Sequence, residues 1–158
     1  MSYRIVFSDI DGTFLNSRHE VLPGTEQAVK RLQQMDIPFV LVSARMPEAI
    51  TPITEKIGIR IPMISYSGAL VLTREGGTLY SHTMPQEPAA RILHEIRQRW
   101  PEAVVNYYAG HQWFVRDPKN PAVQRDERIT RASSGPAAFA VLLRTGILPH
   151  YLLSMSKP

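Results

Sequence analysis

Two carboxylates stand two residues apart, directly after a short apolar run near the start of the chain. The run covers residues 3–8, and the segment that follows it is Asp9, Ile10, Asp11, Gly12 and Thr13. Carboxylates held this close repel each other, and a hard divalent cation with oxygen ligands removes that cost. Magnesium commonly binds one or two protein carboxylates together with a substrate phosphate. We therefore predict that Asp9 and Asp11 form a magnesium site; the alternative is an Asp-rich turn that only caps backbone amides.

A second polar segment directly follows the next apolar run, residues 37–42, and consists of Ser43, Ala44 and Arg45. If both runs are strands of one parallel sheet, their carboxyl ends lie about 5 Å apart. The Ser43 hydroxyl can then donate a hydrogen bond to the same phosphate that Asp9 approaches. The alternative is that Ser43 is only the N-cap of the following helix. In the first segment, Gly12 permits a tight turn with positive φ, and Thr13 supplies another hydroxyl.

The elements that must position these residues alternate between strand and helix. Apolar runs predict strands over residues 3–8, 37–42 and 62–66, and helical periodicity predicts helices over 23–35 and from about Pro47 to Gly58. This alternation is typical of an α/β fold with a parallel, Rossmann-like sheet. Strands of such sheets are covered on both faces, so we expect residues 3–8 to be buried on both sides.

After Ser67 the pattern changes to that of an α+β unit. A hairpin is predicted around Gly76 and Gly77, followed by a helix over 88–100 and an antiparallel pair over 103–108 and 112–116. Residues 117–136 are polar and contain a short helix, 137–143 form a helix or a strand, and 150–154 form a final strand. We expect two domains, 1–82 as an α/β core and 83–158 as an α+β cap.

Composition limits the classes of function. Of 158 residues, 44% are hydrophobic and 20% charged, which is typical of a folded protein. The sequence has no apolar run long enough for a membrane helix, no signal-peptide pattern and no cysteine, which together favour a cytoplasmic protein. The net charge of +4 favours an anionic substrate. The basic residues around Arg125 are mixed with acidic ones, so neither nucleic acid nor membrane is an expected partner.

Three segments together resemble the haloacid dehalogenase-like superfamily, and more narrowly its Cof-type sugar-phosphate phosphatases. They are residues 9–16 (DIDGTFLN), 41–45 (LVSAR) and 64–71 (ISYSGALV). The resemblance extends along the whole chain in order, and it implies a Rossmann-like core with an α/β cap. It also implies that the protein is an enzyme, a magnesium-dependent phosphatase that acts on a small phosphorylated metabolite, with sugar phosphates as the default.

The resemblance implies a role for each matching residue. Asp9 attacks phosphorus and becomes an aspartyl phosphate, and Asp11 protonates the leaving oxygen and then deprotonates the hydrolytic water. Magnesium is held by Asp9 and Asp11, the latter through its backbone carbonyl, and by an acidic residue of a later motif. Phosphate or substrate binding falls to the remaining matching positions, which are Gly12, Thr13, Ser43, Ala44, Arg45, Ser67 and Gly68.

The sequence departs from the family pattern in three respects. No acidic residue follows Glu127 and the only lysine beyond Lys119 is Lys157, so the family's later lysine and acidic-pair motifs are missing. We therefore expect that core and cap are both incomplete, that the chain is truncated and that this piece is inactive. Ser67 also replaces the usual asparagine, which weakens any substrate contact there. An incomplete sheet exposes the edge of its first strand, so we expect self-association.

Two other classes of function compete with the phosphatase. A phospho-acceptor signalling domain also uses a strand-end aspartate with magnesium, but it needs an aspartate after the third strand, where this sequence has Ser65, Tyr66 and Ser67. A non-catalytic remnant that acts only as a binding module is the other alternative. The five histidines are scattered along the sequence without ligand spacing, and we expect no site from them.

Overall fold

The computed structural model of the protein describes residues 3–155. Its contacts divide the chain into one unit that ends at Ser81 and a second that begins at His82. The first unit contains, in chain order, β1 (Val6–Asp9), α1 (Pro23–Gln34), β2 (Phe39–Val42), α2 (Pro47–Lys56), β3 (Met63–Ser65), β4 (Leu70–Leu72) and β5 (Thr78–Ser81). Within the described residues, no helix is both long enough and apolar enough to cross a membrane.

The strands of the first unit form one sheet in the order β1-β2-β3-β4-β5. β1, β2 and β3 are parallel, whereas β4 and β5 continue the sheet as an antiparallel hairpin. Side chains of the parallel strands, including Phe39 and Leu41, pack with Val29 of α1 and Ile50 of α2 in one apolar cluster. This packing holds the three parallel strands in one register, with their carboxyl ends at the same edge of the sheet.

Local sequence explains where the helices of the first unit begin and end. Each starts with proline at its first turn, where the missing N–H costs nothing and the fixed φ favours a helix. α2 ends before Gly58, whose φ of +67° reverses the chain and lets the amide of Ile59 donate to the carbonyl of Thr54 at 3.1 Å. The turn returns the chain toward β3.

The second unit is a separate α+β arrangement. Its elements are α3 (Gln86–Arg99), β6 (Val104–Ala109), β7 (Gln112–Val115), α4 (Pro121–Thr130), β8 (Ser134–Pro136), α5 (Phe139–Arg144) and β9 (Tyr151–Met155). The strand order is β8-β7-β6-β9. Tyr107 of β6 is fully buried in an apolar cluster with Ala89 of α3 and with Phe139 and Leu143 of α5. This face of the sheet is therefore covered by α3 and α5.

The predicted α/β fold is confirmed, and the order of elements follows the expectation through the hairpin and the second unit. The sequence allowed either a helix or a strand over residues 137–143, and the structure has a helix there, at residues 139–144. β8 was not expected, because Ser134, Gly135 and Pro136 carry no strand propensity; it forms only by pairing with β7. The structure places the strand predicted over 3–8 at Val6–Asp9.

The expectation that the first strand is buried on both faces was wrong. β1 has β2 as a neighbour on one side, and among the described residues no strand pairs with its other side. Phe7 is 56% exposed, and Ile5 just before the strand is 44% exposed. The burial of a parallel strand depends on flanking strands and helices, and within residues 3–155 β1 is an edge strand. The burial of its two faces was predicted wrongly, but the open side of β1 is the exposed strand edge that we expected of an incomplete sheet.

We propose that the chain self-associates through the open edge of β1. The amide of Val6 donates to the carbonyl of Pro38 at 2.9 Å, so the alternation of a strand turns the amide of Phe7 toward the open side. An unpaired apolar edge is a template for another strand. We expect Phe7→Lys to lower the average mass measured by light scattering, whereas Ile129→Lys, a matched change at an exposed position of α4, leaves it unchanged.

Hydrogen exchange provides the second readout of this pairing. The Phe7 amide should be protected at high protein concentration and lose protection on dilution. A wild-type chain that is a monodisperse monomer at all concentrations, with a protected Phe7 amide, would show that the chain closes its own sheet and would refute self-association.

Candidate functional site

The carboxyl ends of three parallel strands bring the first two polar segments together. Asp9, the last residue of β1, lies opposite Val42 of β2, one residue before Ser43. The Ser43 amide donates to the carbonyl of Ile64 in β3 at 2.9 Å, which ties the end of β2 to its other neighbour. Pockets at the carboxyl ends of strands are where open α/β sheets bind ligands. The ends of β1 and β2 that carry Asp9 and Ser43 therefore lie side by side.

The segment after β1 folds back on itself as a compact turn. The amide of Phe14 donates to the carbonyl of Asp9 at 3.2 Å, and the amide of Leu15 donates to that of Ile10 at 2.8 Å. Phe14 and Leu15 are buried in the core cluster, so their packing fixes the position of the turn. Gly12 has a φ of +77°, a conformation that costs other residues roughly 1–2 kcal/mol. The turn leaves Asp9 and Asp11 exposed at its surface.

Arg45 and Asp11 form a two-point ion pair across the site. The Arg45 Nε donates to one carboxylate oxygen of Asp11 at 3.0 Å, and its Nη2 donates to the other at 2.6 Å. Arg45 is largely buried, with 16% of its side chain exposed, whereas Asp11 is 50% exposed. A bidentate pair of this kind fixes geometry as well as charge. The His19 Nδ1 lies 3.9 Å from the same Asp11 carboxylate.

Ser43 is buried and does not cap the next helix. Its Oγ accepts a hydrogen bond from the amide of Arg45 at 3.1 Å, while the N-cap of α2 is Met46, which makes no side-chain cap. The simpler interpretation of Ser43 as a helix cap is therefore wrong. Among the described residues the Ser43 hydroxyl proton has no acceptor, so it remains available for a ligand oxygen.

The segment after β3 adopts an unusual conformation beside Ser43. Tyr66, Ser67 and Gly68 have successive φ values of +53°, +54° and +104°. For the two residues other than glycine this conformation costs roughly 1–2 kcal/mol each. The amide of Tyr66 donates to the carbonyl of Arg45 at 3.3 Å, and that of Ser67 donates to the carbonyl of Ser43 at 3.0 Å. These bonds hold the strained segment against the segment after β2, as is common at functional sites.

The donor set fits magnesium at Asp9. Throughout residues 3–155, the Asp9 side chain is exposed and no residue makes a hydrogen bond or ion pair with its carboxylate. Both carboxylate oxygens of Asp11 accept hydrogen bonds from Arg45. The oxygen of Asp11 that is left to coordinate a metal ion is its backbone carbonyl. Hard oxygen donors of this type suit magnesium, which usually keeps several waters and a substrate oxygen as further ligands. No cluster of three or more acidic, histidine or cysteine side chains forms among the described residues.

The remaining predicted site residues lie in the same segments without direct contacts to the carboxylates. Thr13 and Ala44 are exposed, and Gly68 follows the strained pair. The structure thus links Asp11, Arg45, Ser43 and Ser67 by hydrogen bonds, and places Asp9 beside them through strand register. The pairing of Arg45 with Asp11 was not anticipated, because the two are 34 residues apart in sequence.

Comparison with known proteins identifies the family. A model of the haloacid dehalogenase-like hydrolases matches residues 6–142, which is most of the chain. The chain belongs to this family. The fold of this haloacid dehalogenase-like chain is similar to the crystal structure of TM0651 from Thermotoga maritima, with a TM-score of 0.81 at 22% identity. That alignment covers 98% of this chain and 57% of TM0651.

Two further relatives define how much of a haloacid dehalogenase-like protein the chain represents. A Haemophilus influenzae protein named as a candidate phosphatase is 33% identical over 136 residues, covering 86% of this chain and 52% of the relative. The structure of the subclass IIB sugar phosphatase BT4131 aligns with a TM-score of 0.72 at 18% identity, covering 89% of this chain and 55% of BT4131. The chain therefore spans about half the length of these relatives.

Three histidines that the sequence analysis treated as scattered are neighbours in the second unit. His150 lies close enough to His111 and His82 for their charges to affect it, and its Nδ1 accepts a hydrogen bond from the Gly110 amide at 2.9 Å. Burial, and then the two neighbouring imidazoles, lower the pKa of His150. No sequence spacing indicates the group, because His150 and the turn that contains Gly110 and His111 are brought together by the pairing of β6 with β9.

The lowered pKa of His150 predicts a pH-dependent stability. Below the ordinary histidine pKa of about 6.5, the unfolded chain binds more protons at this position than the folded chain. His150 therefore destabilises the folded chain as pH falls through that range. His150→Asn keeps an acceptor for the Gly110 amide but cannot titrate. We expect its midpoint temperature to fall less between about pH 8 and about pH 5 than that of the wild type.

The matched control for this measurement is His94→Asn, at an exposed position of α3. This variant measures the effect of replacing an exposed imidazole elsewhere in the second unit. Parallel curves for His150→Asn and the wild type would show that His150 does not contribute.

Proposed function

We propose that the protein is a magnesium-dependent phosphomonoesterase of the Cof-type branch that acts through an aspartyl-phosphate intermediate. The observation that carries the proposal is the exposed, unpartnered Asp9 carboxylate at the end of β1, next to the end of β2, which is followed by Ser43 and Arg45. A nucleophile for phosphorus needs a free lone pair, and a phosphoryl group needs donors for its oxygens. This edge of the sheet supplies both.

The first step transfers the phosphoryl group from the substrate to Asp9. An oxygen of the Asp9 carboxylate forms a bond to phosphorus as the bond to the ester oxygen breaks. Asp11, in its acid form, gives its proton to that departing oxygen, so the alcohol leaves neutral. Ser43 donates its unused hydroxyl proton to a phosphoryl oxygen, which accumulates charge in the transition state.

Asp11 must leave Arg45 before it can act as the acid. In the structure both of its oxygens accept from the guanidinium, so neither is positioned on a leaving group. A bound phosphate dianion competes for the same planar donor, which matches phosphate geometry as well as it matches a carboxylate. We infer that substrate binding transfers Arg45 from Asp11 to the phosphoryl group, and that the freed Asp11 carboxylate takes up from solvent the proton that it then gives to the leaving oxygen.

The second step releases inorganic phosphate. The Asp11 carboxylate takes a proton from water, the resulting hydroxide oxygen bonds to phosphorus, and the bond to Asp9 breaks. Asp9 returns as a carboxylate and Asp11 returns as an acid. Splitting one difficult displacement into two steps lowers the barrier of each. Magnesium, held by Asp9 and the Asp11 carbonyl, would neutralise the charge that brings two anions together.

The proposed substrate is a small phosphorylated metabolite, with a sugar phosphate as the first choice. This choice rests on the fold similarity to BT4131, which is a sugar phosphatase. The net charge of +4 agrees with an anionic substrate.

In the second candidate function, the chain binds phosphate esters without turning them over. In favour of the second is the observation that, within the described residues, no third acidic side chain joins Asp9 and Asp11.

Substitution of the two carboxylates distinguishes their roles. In the full-length protein, we expect Asp9→Asn to lower phosphatase activity by a factor on the order of a million, because an amide cannot form the acyl phosphate. Asp11→Asn should still form the phosphoenzyme but lower turnover by roughly a hundredfold to ten-thousandfold. Asp36→Asn, at an exposed aspartate in the turn after α1, is the matched control. Activity of Asp9→Asn near that of the control would remove Asp9 from the mechanism, whereas binding without turnover by the wild type would favour the second candidate.

Removal of the metal tests the proposed ligand set. We expect excess chelator to abolish hydrolysis and added magnesium to restore it, because the carboxylates alone repel the substrate phosphate. Zinc should restore little activity, since no group of three nitrogen or sulfur ligands is present among residues 3–155. The measurement is the initial rate of phosphate release. Full activity in excess chelator would contradict magnesium dependence.

A further inference from the structure

A solvent-open groove in the second unit has an apolar floor. It lies between α3 and α5 beside the ends of β7 and β8, and its volume is about 690 Å³. The floor is formed by Ala90, Leu93, Phe139 and Leu143. We call this feature the α3–α5 groove. Its volume falls within the usual range for sites that bind small molecules.

Three basic side chains line the same groove. They are His94 and Arg97, one turn apart on α3, and Arg116, which directly follows β7. No acidic side chain lines the groove in the described part of the chain. Neither Arg97 nor Arg116 has an ion-pair partner among those residues, whereas Arg99 on the same helix pairs with Glu95 at 2.9 Å. Unpaired cations at a concave, apolar surface create a local positive potential.

Arg116 is held over the floor by a stack of aromatic rings. Its guanidinium carbon lies 5.7 Å from the ring centre of Phe139, within the range of a cation–π contact. Phe139 is itself stacked on Tyr107, with ring centres 5.4 Å apart. Both rings are buried, and the Tyr107 hydroxyl donates to the carbonyl of Ile147. The contact with the ring leaves the guanidinium N–H groups, which point outward in its plane, without a partner.

We propose that the α3–α5 groove binds a small organic anion. A carboxylate or phosphate of the ligand accepts hydrogen bonds from Arg97 and Arg116, and an apolar or aromatic body covers Leu93 and Phe139. All of the lining residues belong to the second unit, and the proposal does not rest on the proposed reaction at Asp9.

Charge and size together favour this occupant. An uncharged apolar ligand would leave two arginines desolvated beside it without compensation, which is costly. An inorganic anion would leave the apolar floor exposed. A molecule with one anionic end and one apolar end satisfies both parts of the groove. An acidic peptide is the competing occupant, and the experiment includes it.

The test measures binding of 1-naphthoate to the full 158-residue chain by calorimetry. We expect 1-naphthoate to bind more tightly than 1-naphthamide, which has the same rings without the charge, and more tightly than acetate, which has the charge without the rings. Arg97→Gln and Arg116→Gln should each weaken binding by about tenfold or more, the usual effect of losing a hydrogen bond to a charged group. Arg99→Gln is the matched control and should bind as the wild type does.

Additional variants separate binding from folding. Each variant should retain the wild-type midpoint of thermal unfolding, and Arg116→Lys should bind with intermediate affinity because it keeps the charge without the planar stack. Equal affinity for 1-naphthoate and 1-naphthamide would overturn the proposal. So would an equal loss in Arg99→Gln, or an oligoglutamate peptide that binds more tightly and displaces 1-naphthoate.

Discussion

The parallel register of β1, β2 and β3 is the constraint on which the site depends. It places Asp9 opposite Val42 and Val42 opposite Ile64, so the polar segments that follow all three strands begin at one edge of the sheet. A slip of one residue would turn the side chains at the end of β1 to the other face of the sheet relative to those at the end of β2. The apolar cluster formed with α1 and α2 fixes this register, because Phe39 and Leu41 are buried on the helix side. Packing of the helices on the sheet therefore determines which polar segments meet at its edge.

Above that edge, the backbone and one ion pair arrange the functional groups. The strained Tyr66 and Ser67 persist because their amides bond to the segment that contains Ser43 and Arg45. Arg45 then engages Asp11, while the Asp9 carboxylate is left without a partner in the described residues. The arrangement separates two carboxylates that stand two residues apart in sequence. In the mechanism that we propose, this difference in environment separates a nucleophile from an acid.

Much of the fold could be predicted because its signals are local. Apolar runs, prolines at helix starts and the Gly76-Gly77 turn depend on neighbouring residues, and they placed the strands, helices and hairpin correctly. Features that depend on distant residues were missed. β8 forms only because β7 offers a partner, the exposure of Phe7 depends on which strands flank β1, and the His150 group depends on the pairing of β6 with β9.

The difference between local signals and contacts with distant residues also decides what could be predicted of the candidate site. Asp9, Asp11 and Ser43 were recognisable because acidic and hydroxyl residues directly follow apolar strands. The ion pair of Arg45 with Asp11 was not recognisable, because side-chain geometry after two different strands decides it. The left-handed conformation of Tyr66 and Ser67 was missed as well, since neither residue type favours it.

Direct detection of the phosphorylated residue tests the central claim that Asp9 is the nucleophile. The full-length protein would be incubated with magnesium and labelled acetyl phosphate, quenched in acid and mapped by peptide mass spectrometry. We predict label on the peptide that contains Asp9, with the hydroxylamine sensitivity of an acyl phosphate, and loss of that label in Asp9→Asn. Label at another residue, or undiminished labelling of Asp9→Asn, would contradict the proposed role of Asp9.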